Sequence, residues 1–287
     1  MSTTALDTQD AQNGQNGQKT TGAGGRHTGG QQVTFPRVVH MEWIKLRSLR
    51  STLYTLAITV ALVIGFGLLF SSVVGSGEGP GEDDFGDPTS ISLGGVMLAA
   101  LAVAVLGVLI SAGEYATGSI RATLAAVPSR LPVLWGKVTV FAVVSFVLMF
   151  VAVLGAFLAG QSVLSSRGLD TSALSDPGVF RALVGAAVYL TGAGLIGLAV
   201  GVLLRNTAGA ITLVVGSLFV VPGLIQLLPS SWNDAIGPYL PSNAANAVMT
   251  VRTAGDSLSP GSGLAVFAAY VVVLLAGAAV LFKRRDA

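Results

Sequence analysis

Apolar residues fall in long runs, and polar residues collect in the short stretches between them. A hydrocarbon core about 30 Å thick needs about 20 apolar residues wound as helix. Six stretches meet that requirement: Thr52–Val74, Leu93–Ala112, Val138–Gly160, Ala182–Leu204, Ala208–Leu228 and Leu264–Phe282. None alternates apolar and polar positions as a membrane barrel strand does, so each reads as a helix. Only Arg205, Asn206 and Thr207 separate the fourth from the fifth, which predicts a tight helical hairpin. The pattern predicts an all-α membrane protein with six transmembrane helices over residues 35–287.

Residues 1–34 break the pattern. They are rich in Gly, Gln, Thr and Asn and hold no apolar run, so they cannot bury enough surface to offset chain entropy. A disordered cytoplasmic tail is expected there. Without an apolar segment near the start, the tail is not a signal peptide.

Between the second and third runs lies "GEYATGSIRATLAAVPSRLPVLWGK", residues 113–137. Ile120, Leu124 and Val127 are spaced to share one face of a short helix. Thr117 and Ser119 are available as caps at its start, and Pro128 ends it. Pro132 then suits the first turn of the helix that runs through Trp135 into the third span. Two roles fit the residues alone. One is a return turn anchored at the headgroups by Trp135, Arg130 and Lys137. The other is a docking surface for a soluble partner.

Composition fixes the class. The chain is 52% hydrophobic and only 10% charged, against about 25% charged in a soluble domain. The net charge of +2 conceals a strong segregation. With both termini on one side, that side gathers eleven basic residues near the membrane: Arg37, Lys45, Arg47, Arg50, Arg121, Arg130, Lys137, Arg205, Lys283, Arg284 and Arg285. The other side has three, Arg167, Arg181 and Arg252. It carries acids instead, with Glu78, Glu82, Asp83, Asp84 and Asp87 in one loop and Asp170, Asp176, Asp234 and Asp256 in others. Basic residues mark the cytoplasmic side, so both termini and the 113–137 segment are expected there.

Within the stated boundaries no span holds Asp, Glu, Lys, Arg or His. Such charges are costly in lipid and are kept for tasks such as proton relay, so their absence argues against a proton-driven carrier and an intramembrane protease. There is no cysteine, which excludes disulfides and thiolate chemistry. His27 and His40 both precede the first span, so no buried histidine cluster binds a metal. The acidic loop 77–88 lacks the ligand spacing of an EF-hand and reads as solvated. No feature points to nucleic acid. Gly197-Leu-Ala-Val-Gly201 is a small-xxx-small pattern, suited to packing inside the bundle or to a dimer seam. Pro222-Gly223 should kink or open the fifth helix, as a packing kink or a gate.

The 113–137 segment resembles the cytoplasmic loop of the type-2 ATP-binding-cassette exporter permeases. The shared features stand here as Glu114-Tyr115, Gly118-Ser119, Arg121, Pro128-Ser129-Arg130 and Gly136-Lys137. "EWIKLRS", residues 42–48, is similar to that family's interfacial helix before the first span, and "YLPSNAANAV", 239–248, to its last extracellular loop. The match departs from a clean amphipath over Arg37–Arg50, where Val39, Trp43 and Leu46 share a face but Glu42 and Arg50 intrude.

The resemblance implies a short interfacial helix before the first span and a coupling-type helix between the second and third. It implies a plasma-membrane permease working with a separate ABC ATPase subunit and a second permease chain, in contact with membrane lipid. The chain itself has no P-loop, so ATP and magnesium belong to the partner and no cofactor or enzymatic activity is expected here. Carried onto this chain, Glu114, Tyr115, Arg121, Leu124 and Arg130 are the ATPase-docking residues, with Ile120, Leu124 and Val127 offering an apolar ridge. Short helices in the 229–263 loop would cap the path from outside; an aromatic-anchored surface loop fits the same residues. The substrate is expected to be amphipathic or apolar, since the spans offer only hydroxyls, Gln226 and backbone as polar contacts. A non-transporting anchor or sensor subunit and an ion-coupled carrier are the alternatives.

Overall fold

The computed structural model describes residues 34–74, 87–127, 130–251 and 258–284. The expected tail over 1–33, the acids Glu78, Glu82, Asp83 and Asp84, the Pro128-Ser129 turn, and Arg252, Asp256 and Arg285 lie outside the described residues. Among the described residues eleven α-helices follow in order. They are α1 (Phe35–Ser48), α2 (Arg50–Val73), α3 (Pro88–Ser92), α4 (Val96–Ala116), α5 (Ser119–Ala126) and α6 (Arg130–Ser166). After them come α7 (Val179–Leu204), α8 (Thr207–Ile225), α9 (Ser230–Ile236), α10 (Pro241–Met249) and α11 (Pro260–Arg284). The described residues hold no strand.

Six of these helices, α2, α4, α6, α7, α8 and α11, are long and apolar enough to cross a membrane. They reach beyond the apolar stretches. Glu114 therefore lies inside α4 and Lys137 inside α6, each just beyond the charge-free apolar stretches 93–112 and 138–160.

The bundle is built around α7. Its apolar window is 78% buried, against 22% for α8 and 17% for α11, so α7 is the axis and the other two are peripheral. Lipid offers no hydrophobic drive between helices, so close backbone approach must supply the attraction. Gly197 faces the Ala104 carbonyl of α4, Gly201 the Ser111 hydroxyl, and Gly107 of α4 the Gly194 carbonyl. The Gly197–Gly201 pattern is thus spent on the α4–α7 crossing within the chain. On α6 the exposed Val143, Val147, Val151 and Leu158 form an apolar stripe turned away from the core.

The fifth span opens one turn before Pro222. Residues Gly216–Val220 form a π turn, and the Val221 N–H reaches back to the Gly216 carbonyl. Proline has no N–H to give and crowds the preceding turn, so the wider turn relieves it. The hairpin between α7 and α8 is as tight as expected. Arg205 takes a left-handed conformation at φ 53°, and the Asn206 side chain caps α8 by accepting from the Gly209 N–H at 2.8 Å.

The 229–263 region holds the expected short helices. Of these, α10 packs on α7 and α11, with Val248 against Gly185 and the Ala244 carbonyl against Gly263. At the same end of the bundle, Gln161 donates to the Pro88 carbonyl at 2.9 Å and accepts from the Ser172 N–H at 2.8 Å, fixing α3. At the opposite end α1 packs on the start of α6, and Leu203 near the close of α7 meets Gly277 near the close of α11.

Candidate functional site

Gly136 sets the site in place. A side chain there would strike Val38 of α1, so glycine lets the first helix lie directly on the start of α6. Val38, Val127 and Val133 close over one another at this contact. The buried face of α1 is Val38 and Glu42, while Phe35, Trp43 and Ile44 stay exposed. Glu42 is therefore no intruder on an apolar face. It is the residue that α1 turns into the protein.

Its partner is Lys137, one position beyond the contact glycine. The Lys137 ammonium lies 2.9 Å from Glu42 Oε2 and 2.7 Å from Glu114 Oε1. Lys45, one turn along α1, lies 3.0 Å from Glu42 Oε1 and 3.2 Å from the same Glu114 oxygen. The four groups close a ring in which each ammonium sits between two carboxylates. Their side chains are 4% exposed for Glu42, 7% for Lys137, 14% for Glu114 and 31% for Lys45. Desolvating an ion costs several kcal/mol, and only saturated, charge-assisted pairing repays that cost. Two carboxylates and two ammoniums cancel, so the ring as a whole is neutral.

The ring reaches the short helix through Thr123. Lys45 donates to Thr123 Oγ1 at 3.0 Å, and that hydroxyl donates to the Ser119 carbonyl within α5. One ammonium thus joins α1, α4 and α5, and Lys137 adds α6. Beside the ring, the Arg205 guanidinium lies 5.0 Å above the Tyr115 ring, an attraction that ties the end of α4 to the α7–α8 hairpin.

Helix α5 starts differently from the expectation. Gly118 at φ 72° precedes it without a side-chain cap, and Thr117 instead closes α4 by donating to the Gly113 carbonyl at 3.0 Å. The space around Gly118 is open, so Gly118→Ala tests the backbone alone. A left-handed non-glycine residue costs roughly 1–2 kcal/mol, and scanning fluorimetry of the purified chain should register a loss of that size.

The structure separates the five residues assigned to docking. Arg121 is exposed, and Leu124 and Arg130 are half-buried. Glu114 belongs to the ring, and Tyr115 is half-buried under Arg205. Ile120 and Val127 are buried against their own chain, so the predicted ridge faces inward. The exposed face of α5 is Ser119, Arg121, Ala122, Ala125 and Ala126. Lys137, read as a headgroup anchor, is interior, whereas Trp135 is exposed as an anchor would be. Sequence reasoning passed over Glu42, Lys45 and Thr123. The available signal was the scarcity of charge: the four ring residues stand beside apolar segments, Glu42 and Lys45 within residues 42–48 and Glu114 and Lys137 within residues 113–137.

Residues 38–223, well over half the chain, match the ABC-2 family transporter protein model. The chain belongs to the ABC-2 transporter family. No curated protein matches it by sequence. All four ring residues and Thr123 fall within the matched region, and α9–α11 fall beyond it. The chain is thus a multi-pass membrane permease component of an ABC transporter. Permeases of the ABC-2 family are membrane subunits, generally not catalytic themselves, and normally work with an ABC ATPase.

Proposed function

We propose that this ABC-2 permease forms the translocation path of an ATP-driven exporter and takes its driving force from a separate ATPase bound beneath α5. The observation that carries the reading is the attachment of α5. A helix of eight residues is too short to hold itself in place, yet Thr123 is bonded into a ring spanning α1, α4 and α6. A displacement of α5 is passed to the bundle through paired charges and packed side chains, a rigid-element coupling.

In this reading Arg121, Leu124 and Arg130 form the contact, together with the small side chains Ala122 and Ala125. Glu114 and Tyr115 act one step behind, holding the helix that the ATPase touches. Both termini and the basic end of the bundle face the cytoplasm, a reading supported by the segregation of Lys and Arg, and the protein sits in the plasma membrane. A second permease chain completes the path, for which the sparsely buried α8 and α11 leave surface available. The cargo is amphipathic or apolar and moves outward.

The tagged full chain, extracted from native membranes in mild detergent, should bring down magnesium-dependent ATPase activity. Arg121→Glu with Ala125→Glu, both on the exposed face, should cut that activity by about tenfold or more, an affinity loss of about 1.4 kcal/mol. A chain that purifies without ATPase activity, in vesicles that move substrate on an ion gradient alone, would falsify the reading.

A further inference from the structure

A cavity of about 510 Å³ lies beside the ring, between the α1–α2 junction, the last turns of α4, the start of α5 and the start of α6. Its size falls within the range of about 300–1,000 Å³ usual for sites that hold small organic ligands. Leu46, Leu49, Leu106, Leu109, Ile110 and Phe141 supply apolar walls. Leu49 and Leu109 are 51% and 42% exposed, so the cavity opens sideways at that wall.

Most of the polar groups that face it are spent as donors. Lys45 gives its protons to Glu42, Glu114 and Thr123. The hydroxyls of Ser48, Thr55 and Thr117 donate to the carbonyls of Lys45, Ser51 and Gly113. What remains to donate is the third N–H of the Lys137 ammonium, whose other two go to Glu42 and Glu114 and whose side chain is only 7% exposed, and the neutral hydroxyls of Ser51, Thr52 and Ser119. Acceptor capacity, by contrast, is in surplus. Glu114 takes both ammoniums on Oε1, and Oε2 accepts nothing from the described residues although it is not sealed from solvent. A carboxylate oxygen with free lone pairs at the edge of an apolar cavity calls for a charged donor on an apolar body.

We propose that this cavity binds hydrophobic ammonium compounds, with the protonated amine on Glu114 Oε2 and the apolar body against Leu109, Ile110 and Phe141. Because the ring is neutral, net charge does not choose between cations and anions. The hydrogen-bond inventory does, and it favours the amine. The site needs neither ATP nor a partner, so its failure would leave the export reading untouched.

The full chain in lipid nanodiscs, illuminated with dodecylamine carrying a diazirine in its alkyl chain, should be labelled on α1, α2 and α4. Unlabelled dodecylamine should suppress labelling at concentrations about tenfold lower than dodecyl sulfate or dodecanol require. The sulfate arm is the sharp comparison, since the first turn of α2 also borders the cavity and offers N–H groups. Gly113→Phe should abolish labelling. A Cβ there meets nothing within 4 Å, position 113 lines the cavity, and phenylalanine has a higher helix propensity than glycine, so the ring is expected to fill the cavity without breaking α4. Glu114→Gln should erase the preference of amine over alcohol. Equal competition by the sulfate or the alcohol, or labelling that survives Gly113→Phe, would overturn the proposal.

Discussion

Methionine at position 137 is expected to destabilise the folded chain by about 3–5 kcal/mol, the usual cost of removing one partner from a buried ion pair. The side chain fits, because methionine follows the lysine stem and adapts to irregular gaps. What fails is the charge balance. Glu42, only 4% exposed, and Glu114 would share the single ammonium of Lys45, leaving one negative charge uncompensated in the interior. Replacing Glu42 by glutamine in the same chain restores neutrality, because Glu114 and Lys45 still pair. The double variant Glu42→Gln/Lys137→Met should therefore regain about 0.5–3 kcal/mol relative to the sum of its single changes, the coupling expected of groups in one network. Trp43 and Trp135 flank the ring in sequence, so intrinsic-fluorescence melting in detergent reports on its surroundings. A Lys137→Met chain that melts within about 0.5 kcal/mol of the parent, as a surface change would, means that the ring contributes nothing to the fold.

Hydropathy located all six membrane-length helices because bilayer thickness imposes a length on any apolar run. It misplaced their ends because lipid thickness says nothing about where a helix stops. Helix α6 continues for 37 residues, far beyond the requirement, and its extra turns at the start carry Gly136 and Lys137. The hairpin at Arg205–Asn206 and the opening before Pro222 were legible, since a three-residue gap and a proline without an N–H act locally. The face shared by Ile120 and Val127 was legible too, but not its direction. A short helix offers the same stripe to its own bundle or to a partner, and only the contacts decide. The ring was beyond reach for a similar reason. Glu42 and Lys137 are 95 positions apart, and one sequence contains no record of which distant charges meet. Two of the quoted motifs held fragments: Glu42 and Lys45 in residues 42–48, and Glu114 and Lys137 near the two ends of residues 113–137. Their convergence belongs to the fold.

Valine at position 197 should be as damaging as the loss of Lys137, by a wholly steric route. The Gly197 Cα faces the Ala104 carbonyl of α4 so closely that any Cβ would collide with it. The obstacle is backbone, which cannot rotate aside as a flexible side chain could. Helices α4 and α7 must separate, and this crossing is the most extensive contact between any two helices of the bundle. Overpacking typically costs about 1–3 kcal/mol, and a forced backbone separation belongs at or above the top of that range. Gly107 and Gly201 lie on the same crossing, so the loss propagates along it. Gly223→Ala is the matched comparison. Position 223 meets nothing within 4 Å, so an added methyl there should leave melting essentially unchanged. If small residues served a seam between two chains, Gly197→Val would yield a folded monomer by size-exclusion chromatography. The crossing seen here requires the opposite: a chain that no longer melts cooperatively, whatever its association state.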